Sequence, residues 1–103
     1  MDKKELKGVA TPEQIESWKN LHKEVFTVTV GDSIGYLKKP DRNTIKAVSS
    51  IGQSDSIRSI EILLENCWLG GDEDIKTDDD KFFGVSQELA KLINFKQAEL
   101  KKL

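Results

Sequence analysis

At 103 residues the chain is the size of one domain with its own core, large enough to fold without a metal or disulfide staple. Its 37% apolar and 33% charged residues exclude both a disordered and a membrane-embedded composition. Sixteen Lys plus Arg against eighteen Asp plus Glu leave a formal charge of −2, contrary to the basic excess with which nucleic-acid modules neutralise phosphate. A lone cysteine, Cys67, has no intrachain disulfide partner. No apolar run reaches the roughly 18 residues of a membrane span, and residues 1–10 lack the apolar stretch of a secretory signal. They read as a flexible N-terminal segment ahead of a single α+β domain, 11–103.

The first element begins at Thr11-Pro12-Glu13-Gln14. Thr11 suits a helix N-cap, Pro12 the first helical position, and Gln14 closes a capping box. Ile15, Trp18, Leu21 or His22, and Val25 then fall on one helical face, and the helix is expected to end near Lys23. Val25–Val30 is β-branched and aromatic, a strand composition. Gly31-Asp32-Ser33 reads as a turn and Ile34–Lys38 as the return strand. This pattern puts Phe26, Val28 and Val30 on one face, with Ile34 and Tyr36 pairing on that same face. A lone hairpin is marginal in water, so helices are expected to cover it.

Pro40-Asp41 starts a second helix with Ile45, Val48 and Ile51 buried and Gly52 at its end. Ser54 or Asp55 begins a third, with Ile57, Ile60, Leu63, Leu64, Cys67 and Trp68 inside and Gly70-Gly71 as its stop. After an acidic loop, Thr77 or Asp78 caps a long amphipathic final helix running close to the C-terminus. That helix carries Phe82, Val85, Leu89 and Leu92 along its seam. The fold class is therefore α+β: an N-terminal helix, a β-hairpin, then three helices.

Candidate chemistry is sparse. Between Asp72 and Asp80 stand six acids and one base, Lys76. Aligned as an EF-hand loop, this stretch puts Lys76, Thr77 and Phe83 where calcium requires a ligand, a glycine and a glutamate, so it reads as a solvated loop leading into a helix. Cys67 and His22 fall short of a zinc site, and Cys67 lies on an apolar helical stripe where a thiol is normally inert. Gly70-Gly71 lacks phosphate-loop spacing. The Lys38-Lys39, Arg42 and Lys46 cluster reads as a charged rim. A helix-turn-helix made from helices two and three would offer Arg58 against Glu61 and Glu65 as reading residues, poor equipment for a major groove. Trp18 and Trp68 read as core. No catalytic residue, cofactor or metal is expected.

Four segments, taken in order, resemble small proteins of the tail assembly chaperone-like group encoded in phage and prophage tail regions. They are the hairpin ending in Gly35-Tyr36-Leu37-Lys38-Lys39-Pro40, the Ile60-to-Asn66 helix, the junction Asn66-Cys67-Trp68-Leu69-Gly70-Gly71-Asp72-Glu73, and the acid-capped helix Phe82 to Leu103. The resemblance implies a non-enzymatic protein of the bacterial host cytoplasm that binds the tape-measure or tail-tube protein and needs no cofactor. It implies no catalytic residues. Client contacts are expected from apolar side chains with exposed potential: Tyr36, Phe83, Phe95 and Leu100. The competing readings are a structural tail or baseplate piece retained in the virion, and a small DNA-binding regulator. Self-association is left open.

Overall fold

The computed structural model describes residues 6–52, 54–92 and 99–103. The elements run α1 (Pro12–His22), β1 (Val25–Val30), β2 (Ser33–Lys38), α2 (Arg42–Gly52), α3 (Ser56–Cys67), β3 (Trp68–Gly71), α4 (Asp74–Thr77) and α5 (Asp79–Leu89), closed by a 3-10 turn at Ala90–Leu92. The architecture is α+β, and helix, hairpin, helices follow in the expected order.

Local chemistry sets most of the boundaries. The Thr11 hydroxyl accepts from the Gln14 N–H at 3.2 Å while the Gln14 side chain accepts from the Thr11 N–H at 3.0 Å, the full capping box. At the other end of α1, Lys23 turns to φ 64° and the chain leaves for β1. Asp41 accepts from Thr44 N–H at 2.8 Å at the head of α2, and Asp55 from Arg58 N–H at 2.9 Å at the head of α3. Asp78 does the same for α5 through Lys81 N–H at 3.1 Å. Each carboxylate satisfies an orphan donor and faces the positive end of a helix dipole.

The sheet corrects the expected register. Only Gly31 and Asp32 separate the strands, with Gly31 at φ 57° in the first central position of a two-residue turn. Phe26 therefore pairs with Leu37, Val28 with Gly35 and Val30 with Ser33, whereas Tyr36 sits opposite Thr27 and Ile34 opposite Thr29. Tyr36 and Ile34 lie on the face opposite Val28. Counting Ser33 in the turn shifts the strand by one residue, and a one-residue shift moves every side chain through the sheet.

A second correction adds a strand. Trp68–Gly71 does not finish α3 but pairs antiparallel with β2, giving the order β1-β2-β3 with an irregularity between Tyr36 and Leu37. Gly71, at φ 130°, could not carry a side chain here: a Cβ would stand 2.4 Å from the Ile34 carbonyl oxygen. Residues before α1 also join the sheet. Lys7 N–H donates to Asp32 O at 2.7 Å and Lys7 O accepts from Ile34 N–H at 3.0 Å, so Lys7 bridges to β2 at Ser33.

The core lies between the inner sheet face and the helices α2, α3 and α5. It comprises Val28, Leu37, Val48, Leu63, Leu64, Cys67, Ile75, Phe82, Val85, Leu89 and Leu92. The seam expected for the last helix is thus buried. The helix itself is shorter than expected, ending at Leu89 before the 3-10 turn, and residues 99–103 have no regular structure. Glycine allows α5 to approach β1, because a Cβ on Gly84 would meet Val30 at 2.9 Å. On the outer sheet face α1 contributes no fully buried residue. Trp18 holds it there, 5.3 Å from the Tyr36 ring and in contact with Gly70.

Candidate functional site

The clearest surface feature lies between α3 and α5. Ile57, in the first turn of α3, is 51% exposed, and Phe83, in the first half of α5, is 52% exposed. Phe82 packs edge-on against Phe83 at 5.6 Å between centroids, yet is itself buried. Neighbouring residues on one helix point about 100° apart, so one ring seals the core while the next leaves it. Ile57 and Phe83 line the same cleft, about 170 Å³, together with Ile60, Phe82 and Gln87. It continues into clefts of about 150 and 310 Å³, which add Glu61, Asp79 and Lys76, then Leu64, Glu65 and Thr77. The feature is an apolar groove with an acidic rim.

The rim charges are distributed unevenly. Arg58 lies 4.0 Å from Glu61 and 3.9 Å from Glu65, and both carboxylates remain about half exposed. Lys76 is engaged elsewhere, 2.8 Å from Glu73 and 4.9 Å above the Trp68 ring. Asp79 and Asp80 are exposed at the N-terminus of α5.

The residues singled out from the sequence are scattered. Tyr36 is 4% exposed, stacked on Trp18, with its hydroxyl accepting from Ala10 N–H at 3.2 Å, so it offers no contact surface. Phe83 is in the groove. Leu100 is exposed on the segment without regular structure, and Phe95 lies outside the described residues. Ile57 was expected inside and is the residue the sequence pattern missed. Its signal was available: α3 carries apolar side chains at 57, 60, 62, 63, 64 and 67, more than one face can bury.

Titratable and nucleophilic groups serve the fold. Cys67 is fully buried and burial pushes its thiol up to about 11, the reverse of an activated nucleophile. Ser33 is fully buried, donates to Asp72 Oδ2 at 2.6 Å and accepts from Lys81 Nζ at 2.8 Å. This superficially resembles a serine–lysine pair, but a lysine base must be neutral. Lys81 also donates to Asp32 at 3.1 Å, which raises its pKa and holds the proton on. Its partner Asp32 is lowered by Lys81 and then Lys7, and Asp72 by the Ser33 hydroxyl and then the Asp74 N–H. Two of the six acids of that stretch are thereby structural: Asp72 holds Ser33, and Asp78 caps α5. Among the described residues, no group of three or more His, Cys, Asp or Glu side chains is gathered for a metal ion.

A further cleft of about 220 Å³ runs along β1, lined by Phe26, Val28, Leu37, Leu89 and Leu92.

No family model matches the chain. No curated protein and no solved structure matches it either. Among the described residues, no helix is long and apolar enough to cross a membrane.

Proposed function

We propose that this chain is a non-enzymatic protein-binding domain acting as a phage tail assembly chaperone, with the tape-measure or tail-tube protein as its client. The observation that carries the binding role is the groove between α3 and α5, where two large apolar side chains, Ile57 and Phe83, stand more than half exposed on one concave surface. Isolated exposed apolar residues are ordinary, but an apolar concavity rimmed by charge is the usual form of a protein-interaction site. The choice of client comes from the resemblance of residues 26–103 to the tail chaperone-like group.

The test is affinity capture of a tagged chain from cells assembling phage tails, with mass spectrometry of the bound proteins. Co-purification of a tape-measure or tube protein supports the reading, and its absence overturns it. Purified particles supply the control: a chaperone is missing from them, whereas a tail or baseplate component is present at fixed stoichiometry.

A further inference from the structure

Resting on the protein-binding reading, we infer that the groove between α3 and α5 takes a basic amphipathic α-helix, its apolar stripe seated on Ile57 and Phe83 and its lysines or arginines facing Glu61, Glu65 and Asp79. Two parallel lines of evidence select this occupant. The first is shape. The groove is walled by the long helices α3 and α5, with Lys76 and Thr77 of the short α4 joining them at one end, and its three adjoining clefts follow α3 from Ser56 through Leu64 to Glu65. A third helix laid along such a seam places residues spaced three and four apart into successive clefts, as helix-in-groove complexes do. The clefts hold about 150 to 310 Å³ each, against a liquid-water share of ~30 Å³ per molecule. Seating apolar side chains in the two clefts of about 170 and 310 Å³, whose walls are mainly apolar, displaces several waters. An extended strand has no exposed backbone partner in a wall made of helices.

The second is charge. The charged lining is Glu61, Glu65 and Asp79 against Lys76, and Lys76 is committed to Glu73 and the Trp68 ring. Arg58, beside the groove, is shared between two carboxylates. Partially exposed rim charges contribute mainly to partner choice and association rate, and their effect fades as salt screens them. An acidic helix would meet like charge on both walls.

The experiment titrates the full chain with two designed helical peptides of about 18 residues, long enough to form helix. They share a leucine stripe at i, i+3, i+4 and i+7, and one carries lysines where the other carries glutamates. Fluorescence anisotropy at low ionic strength is expected to show the lysine peptide binding about tenfold or more tighter, with the difference shrinking at physiological salt. Phe83→Asp or Ile57→Asp should weaken it about tenfold or more. This control matters because either substitution makes the chain more acidic. Non-specific attraction of a basic peptide would increase, whereas seating in the groove is lost. Glu61→Lys with Glu65→Lys should reverse the preference towards the glutamate peptide. Circular dichroism confirms folding, and Phe83→Ser replaces Phe83→Asp if the latter unfolds.

Equal affinity for the two peptides, no binding of the lysine peptide, or unchanged affinity in the folded Phe83 and Ile57 variants overturns the inference. Those results separate it from the chaperone reading. Capture of a tail protein that survives Phe83→Asp leaves the binding function standing and places it on another surface.

Discussion

Gly35 lies on the inner face of β2 beneath the indole of Trp68, where a Cβ would stand 2.7 Å from the ring and 3.3 Å from Ile75. Ile75 is fully buried and the part-buried Trp68 ring is packed against the core. Gly35→Ala is expected to cost about 1–3 kcal/mol by overpacking, measured as a lower urea midpoint. Gly31 presents the opposite case, with nothing within 4 Å of an added Cβ but φ at 57°. Gly31→Ala should cost roughly 1–2 kcal/mol through backbone strain alone. Gly31 was legible as a turn glycine, whereas the role of Gly35 was not, because what distinguishes it is a contact with Trp68 more than thirty residues away. Cys67 was legible, since the apolar stripe around it already implied burial. With its thiol pushed to about 11 and fully covered, the native chain should react with a thiol reagent at neutral pH only as fast as it unfolds. Rapid stoichiometric labelling under native conditions would contradict that placement.

At the scale of elements, helix starts were readable because N-capping is local chemistry within four residues, whereas the ends of α3 and α5 were not. Thr11→Ala should cost about 1 kcal/mol, read as the loss of α1 signal at lower denaturant. The hairpin register and β3 were not readable. Register depends on whether the turn takes two residues or three, and Trp68–Gly71 becomes a strand because β2 offers it an unpaired side. The Ser33 cluster joins these elements electrostatically, and its pH dependence has two limbs. Asp32 and Asp72 are held below the ordinary 3.8, so their stabilisation is complete above that value and is lost as pH falls through their lowered folded values. Asp41, lowered by its bonds to Thr44, acts in the same direction. Lys81 is raised above 10.5, so its contribution is complete below that value and disappears as pH rises through the folded one. Stability should therefore be level at intermediate pH and fall below about pH 4 and above about pH 10.5. Because Lys81 is the chief cause of the lowered Asp32, Lys81→Met should flatten the acid limb of Tm against pH. Parallel curves for the two proteins would show that the cluster is not the source.

For the whole molecule, the helices are attached unequally. The α3–α5 side holds the core, whereas α1 rests on the outer sheet face through a half-buried Trp18. Trp18→Ala should release α1, at a cost of about 2 kcal/mol, while leaving the core in place. Hydrogen exchange would then accelerate over residues 12–22 and remain slow in β2 and α3; global acceleration would make α1 part of the cooperative core. The core list was largely readable because periodicity marks it. The groove was only half readable: Phe83 stood out as an extra aromatic beside the seam. For Ile57 the sequence showed only that α3 is more apolar than one face can bury, not which end of the stripe runs past the edge of its neighbour.

The position of β2 in the middle of the sheet also has a consequence during synthesis. Its first partner, β1, is already made when Lys38 leaves the ribosome, but β3 starts about thirty residues later. At ~5–20 residues per second that interval lasts roughly 1.5 to 6 seconds, and Lys81, which closes the Ser33 cluster, emerges later still. Throughout it the nascent chain carries a hairpin with one open side along β2, a template for pairing with a neighbouring chain on the same messenger. Lys7, made earlier and bridging β2 at Ser33, covers the turn end of that side while the rest waits.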